Sequence, residues 1–124
     1  MANVIPNAFK AELLSGTHNF ASGGNSFKLA LYTSNPYSAS STEYDTTNEV
    51  SSGSGSGYTT TGLVLQNQSV TAGATSFVDF DDLTFTSVSF GAAFGAIYND
   101  TNNDKLCVVL DFNGTKTATN GDFK

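Results

Sequence analysis

This 124-residue chain holds a single imidazole and a single thiol, the side-chain types whose ordinary pKa values lie nearest to neutrality. His18 lies in the stretch THNF, and Cys107 lies in the apolar run LCVVLDF. A general base needs an acidic or nucleophilic partner, and none stands beside His18 in the sequence. Ser15, Thr17 and Ser22 offer hydroxyls nearby, but no strand–turn–helix elbow surrounds them. His18 is therefore expected to be a loop residue that bonds backbone groups or contacts another chain. Cys107 has no His or Cys at ligand spacing, which argues against zinc. As the single cysteine it has no disulfide partner within the chain, and it reads as a small buried hydrophobe.

The carboxylates fall into two groups. Asp79, Asp81 and Asp82 form the run DFDD. Asp79 and Asp81 share a face if a strand continues that far, and two carboxylates across a sugar cleft perform glycoside hydrolysis. A solvated strand end explains them more simply. Asp100, Asn102 and Asp104 alternate within NDTNNDK, like the first half of a calcium loop. The glycine and the closing glutamate of such a loop are missing, so the ordinary reading is a hairpin turn. Gly23 and Gly24 precede a strand, and Lys28 is misplaced for a phosphate lysine, so ASGGNSFK is no phosphate loop. No catalytic, cofactor-binding or metal residue is assigned, and no cofactor is expected.

Aromatic residues carry more information. The chain has 10 Phe and 5 Tyr but no Trp. Phe20, Tyr32, Tyr37, Tyr44 and Tyr58 lie in or beside loops rich in Ser, Gly and Asn, a common recognition chemistry. Phe9, Leu13, His18, Phe20, Tyr37, Tyr44 and Tyr58 are the residues expected to meet a partner. The formal charge is -6, with five scattered Lys and no Arg. That balance argues against nucleic acid and anionic membranes as partners. No run approaches transmembrane length, and MANVIPNAFK lacks the pattern of a secretory signal. The Asn-x-Ser/Thr triplets at Asn67, Asn99 and Asn113 then read as turn chemistry.

The elements that must position these residues are mostly short strands. Pro6 to Gly16 is the one helical segment, with Phe9 and Leu13 at helical spacing and Gly16 as a stop. Ser26 to Thr33 reads as a strand with Phe27, Leu29 and Leu31 on one face and Lys28, Ala30 and Tyr32 on the other. A polar stretch, residues 34–57, follows; it is long for a connection within a small domain, and is either mobile or ordered by a partner. Strand signals then come in YTTTGLVLQNQSV, TSFVDF, LTFTSVSF, AFGAIYND and KLCVVLDF. The last is the best candidate for a central strand. NDTNND turns between two strands, and Asn113-Gly114 and Asn120-Gly121 are strong turn signals. The reading is a single mainly β domain over residues 1–124, with an N-terminal arm and helix over 1–20. Six to eight short strands predict an antiparallel β-sandwich or small barrel, a jelly roll among the options. An open antiparallel sheet with one covering helix is the nearest rival. Phe123 looks like the start of a further strand.

The succession NAFKAELLSGTHNF, FKLALYT, TTNEVSSGSGSGYTTTGLVL, TSFVDFDDLTFTSVSF, AIYND and VVLDFNGTKTATNGDF resembles a family of small virion proteins of tailed bacteriophages. The resemblance covers nearly the whole chain. Relatives carry a Trp and a Pro near Thr84 to Ser87, where this chain has TFTS, and run further at the C-terminus. The resemblance implies a non-enzymatic structural protein, with capsid cement or decoration as the leading role. Its partners would be the major capsid protein, further copies of itself in a homo-oligomer, or both. It would be synthesised in the host cytoplasm and located in the virion. Residues 1–20 and 34–57 would be the elements that reach over neighbours. A tail, neck or fibre-associated role and a carbohydrate-binding β-sandwich are the alternatives.

Overall fold

The computed structural model describes residues 3–53, 55–75, 77–81 and 83–123. These described residues form one helix, α1 (Asn7–Leu14), and six strands: β1 (Phe27–Tyr32), β2 (Leu63–Val64), β3 (Ser69–Thr71), β4 (Phe77–Asp79), β5 (Phe85–Asn99) and β6 (Lys105–Phe123). Four strands form an antiparallel sheet in the order β2-β1-β5-β6, and β3 and β4 form a separate antiparallel ribbon. Neither sheet closes: β2 and β6 remain opposite edges. The barrel expectation is thus corrected, and the four-stranded unit matches the rival reading of an open sheet with a helix against it.

The six strands fall within the expected six to eight, but two of them are far longer than the turn signals suggested. LTFTSVSF and AFGAIYND are one continuous strand, β5. Gly91 between them makes no turn; a Cβ there would lie 2.9 Å from Thr115 Cγ2, so it is small because β6 passes close. Asn113-Gly114 and Asn120-Gly121 do not end β6 either. Asn113, Gly114 and Asn120 have φ of 58°, 108° and 48°, and the positive values are absorbed as bulges. The register shows how. Phe94 faces Asp111 and Ala92 faces Lys116, so four residues of β6 stand against one of β5. Phe123 ends β6 opposite Phe85, and starts no new strand. The NDTNND hairpin forms as expected, closing β5 on β6 with Asn99 opposite Lys105.

β6 is not central. The middle of the sheet belongs to β1 and β5. Both faces of β1 are covered because its residues enter three apolar clusters. Leu31 joins Val50, Tyr58, Phe85, Val88 and Phe90. Ala30 and Tyr32 join Tyr37, Ala96, Tyr98, Leu106 and Val109. Phe27 packs with Leu65 and Cys107. The apolar richness of β6 has another cause: its outer edge is covered by the arm and the long loop. Val4 and Val109 exchange backbone bonds of 2.9 and 2.8 Å, Tyr44 N–H donates to Asp104 O at 2.8 Å, and Leu106 N–H donates to Thr42 O at 3.0 Å.

α1 begins after extended Pro6 and ends in a Schellman turn. Gly16, at φ 77°, donates to Leu13 O at 3.3 Å, and Thr17 donates to Glu12 O at 2.9 Å, the two bonds that define the motif. No residue of α1 is buried. A helix this short persists through tertiary contacts rather than propensity. Those contacts are the ring of Phe9 against His18 and Phe20 and the polar bonds of Glu12.

Candidate functional site

The long loop, 34–57, is held by its own chain. Thr33 N–H donates to Asn48 O at 2.9 Å, and Val50 N–H donates to Leu31 O at 2.9 Å. Tyr37 and Tyr44 of the loop, and Tyr58 just after it, then turn inward. Tyr44 donates to Glu49 Oε1, and Tyr58 donates to Glu49 Oε2 at 2.5 Å. The Thr61 N–H completes the set at 2.9 Å from Oε2. Tyr58 Oη also accepts the Leu31 N–H at 3.0 Å. Tyr32 donates to Asp45 O at 2.7 Å, and its oxygen lies 2.5 Å from that of Tyr37. Tyr98 stacks on Tyr44 at 4.6 Å and donates to Thr61 O at 2.6 Å. Burial pushes the hydroxyls of all five tyrosines up from their ordinary 10.0. For Tyr44 and Tyr58 the hydrogen bond to Glu49 adds to it, because that bond exists only while the phenol keeps its proton.

The second cluster is built on His18, which is buried. Its Nε2 lies 2.9 Å from Glu12 Oε1 of α1. Its Nδ1 lies 2.9 Å from Asn99 Nδ2 at the end of β5 and 3.8 Å from Cys107 Sγ of β6. The tautomer follows from Asn99. That residue's Oδ1 accepts the N–H groups of Thr101 and Asn102 at 3.1 and 3.2 Å. Its Nδ2 must therefore donate to His18 Nδ1, which leaves the imidazole proton on Nε2, facing Glu12. Lys105 Nζ stands 3.5 Å from the other Glu12 oxygen.

Thiol, imidazole and carboxylate together are the components of a nucleophilic site. The geometry here works against that chemistry. Burial, and then the charge of Glu12, push the Cys107 thiol up to about 12. The residue is 1% exposed, and the nearby imidazole nitrogen is already occupied by Asn99. The cluster acts as a tie between α1, the hairpin turn and β6.

The remaining sequence-derived residues are placed as follows. Asp79 ends β4 and is exposed; Asp81 is also exposed and accepts Asn67 Nδ2 at 2.6 Å, while Asp82 lies outside the described residues. Asp100 and Asp104 flank the hairpin turn, and burial followed by the charge of Asp100 raises the Asp104 carboxyl. Asn102 is turned to donate to Thr17 O. Among the described residues no group of three or more His, Cys, Asp or Glu is placed to hold a metal ion, and no helix is long and apolar enough to cross a membrane.

Of the seven residues expected to meet a partner, His18, Tyr37 and Tyr58 are buried and Phe9, Phe20 and Tyr44 are half-buried. Leu13 is 45% exposed, and beside it Leu14 is 92% exposed and Ile5 51%. Sequence reasoning missed Glu12, Asn99 and Glu49. Glu49 carried a partial signal: of the loop's three acids, Glu43, Asp45 and Glu49, it stands nearest in sequence to Tyr58. Comparison of the chain with protein-family models, with curated proteins and with solved structures gives no match.

Proposed function

We propose that this chain is a non-enzymatic structural protein of a tailed-bacteriophage virion, acting as a capsid cement or decoration protein between neighbouring capsomers. The observation that carries the reading is the ordered succession of sequence blocks from NAFKAELLSGTHNF to VVLDFNGTKTATNGDF, which resembles that family over nearly the whole chain. Two features of the fold support it. The imidazole, the thiol and the five tyrosine hydroxyls are spent on internal bonds. The large apolar side chains left exposed at the N-terminal side, Ile5, Leu13 and Leu14, suit protein contact. The partners are the major capsid protein, further copies of this chain, or both, and repetition on a symmetric shell multiplies weak contacts through avidity.

The reading includes a two-layer, sandwich-like arrangement, supported by the packing of Leu65, Phe80 and Leu83 around Phe27 of the main sheet. A tail, neck or fibre position is the second reading; it shares the resemblance and differs in copy number and place. Glycan binding is less supported, because the exposed large apolar side chains among the described residues are all aliphatic, whereas sugar platforms are aromatic. Purified chain added to capsids stripped of it should rebind in a fixed ratio to capsomers. Binding to tails with none to capsids would move the assignment to the second reading.

A further inference from the structure

The chain holds two Asn-Gly pairs on one strand, in opposite surroundings. Asn120 is held: its N–H donates to Ser89 Oγ at 2.9 Å, its Oδ1 accepts the Ser89 hydroxyl at 3.3 Å, and Gly121 pairs with Val88 in the ladder. Asn113 is not. It lies in the wide bulge between Asp111 and Lys116, where residues 112–115 have no register partner on β5. Its side chain is exposed, and no described residue bonds its amide group. Gly114 sits at φ 108° with nothing within 4 Å of where a Cβ would be, so no packed neighbour crowds the dipeptide on that side.

We propose that Asn113-Gly114 is a self-modification site of the folded protein, at which Asn113 is converted to aspartate and isoaspartate by water. The Gly114 nitrogen attacks Asn113 Cγ and forms a C–N bond. The Cγ–Nδ2 bond breaks, and the side-chain nitrogen leaves as ammonia with the proton given up by the Gly114 amide. Water then opens the succinimide at either carbonyl, releasing one proton and leaving one new carboxylate. The rotation that brings nitrogen to carbon leaves the ladder pairs on either side of Asn113 in place, whereas at Asn120 it breaks the side-chain bond to Ser89 and strains the Gly121–Val88 pair beside it. The new charge appears beside Asp111, whose side chain accepts the Asn113 N–H at 2.9 Å and whose own N–H holds Asn3 of the arm at 2.7 Å. The conversion therefore adds like charge where the arm docks. This inference is independent of the virion reading.

The test is peptide mapping by mass spectrometry of the full chain, incubated at mildly alkaline pH, folded and in urea. In the folded protein Asn113 should convert at least about fivefold faster than Asn120, the factor that one net hydrogen bond of protection supplies. In urea both pairs should convert at the same rate, because their local chemistry is the same. Asn113→Gln should abolish the folded-state conversion at that position. Equal rates in the folded protein, a faster Asn120, or no conversion at Asn113 would each overturn the proposal.

Discussion

Glu49 and His18 show how polar side chains can be structural in a small β domain. Glu49 accepts three donors from two sides of the long loop. That makes the loop's order depend on phenols that keep their protons. The sign of the pH effect follows. In the unfolded chain the tyrosines ionise near their ordinary 10.0, while in the folded protein they are raised above it. Above that pH the unfolded state binds fewer protons, so stability is full below pH 10.0 and falls as pH rises. Tyrosinate absorbance should accordingly appear together with cooperative loss of the fold; an independent titration near 10.0 in the intact fold would contradict the network. Cys107 offers a parallel check. With its thiol raised to about 12 by burial, it should resist alkylation at neutral pH until the chain is unfolded. Rapid alkylation of the native protein would restore the nucleophilic reading. The residue types were visible in the sequence, but their partners were not: His18 meets Asn99 and Cys107 across 81 and 89 residues, a distance that local spacing does not encode.

At the level of elements, the helix was legible because its stop is local chemistry, the positive φ of Gly16. The strands were legible as alternating runs, but their ends were not. Asn-Gly dipeptides and the Gly91 stretch carry the same signature whether the chain turns or bulges, and the choice is made by pairing with the other arm of the hairpin. The long loop was misread for a related reason: its anchors are few, and each reaches a distant strand. Gly62 tests the packing between β1 and the strand that follows the loop. At φ 82°, a Cβ there would lie 1.8 Å from Leu29 O. Gly62→Ala should cost more than about 3 kcal/mol in denaturant unfolding. Gly16→Ala, with a similar φ of 77° but open space, should cost about 1 kcal/mol. Equal costs would mean that β1 and residue 62 are not packed as described.

At the scale of the molecule, the fold draws its polar chemistry inward and leaves aliphatic side chains at the end of α1. Leu14→Lys should change stability by less than about 0.5 kcal/mol, since the side chain is 92% exposed. On the structural reading, Leu13→Lys with Leu14→Lys should lower occupancy on capsids while the melting temperature holds. The most direct measurement is imaging of virions assembled with and without the protein. A cement or decoration role predicts that density disappears over the whole shell, at positions repeated with the capsomers. Loss confined to a single vertex or to the tail would contradict it.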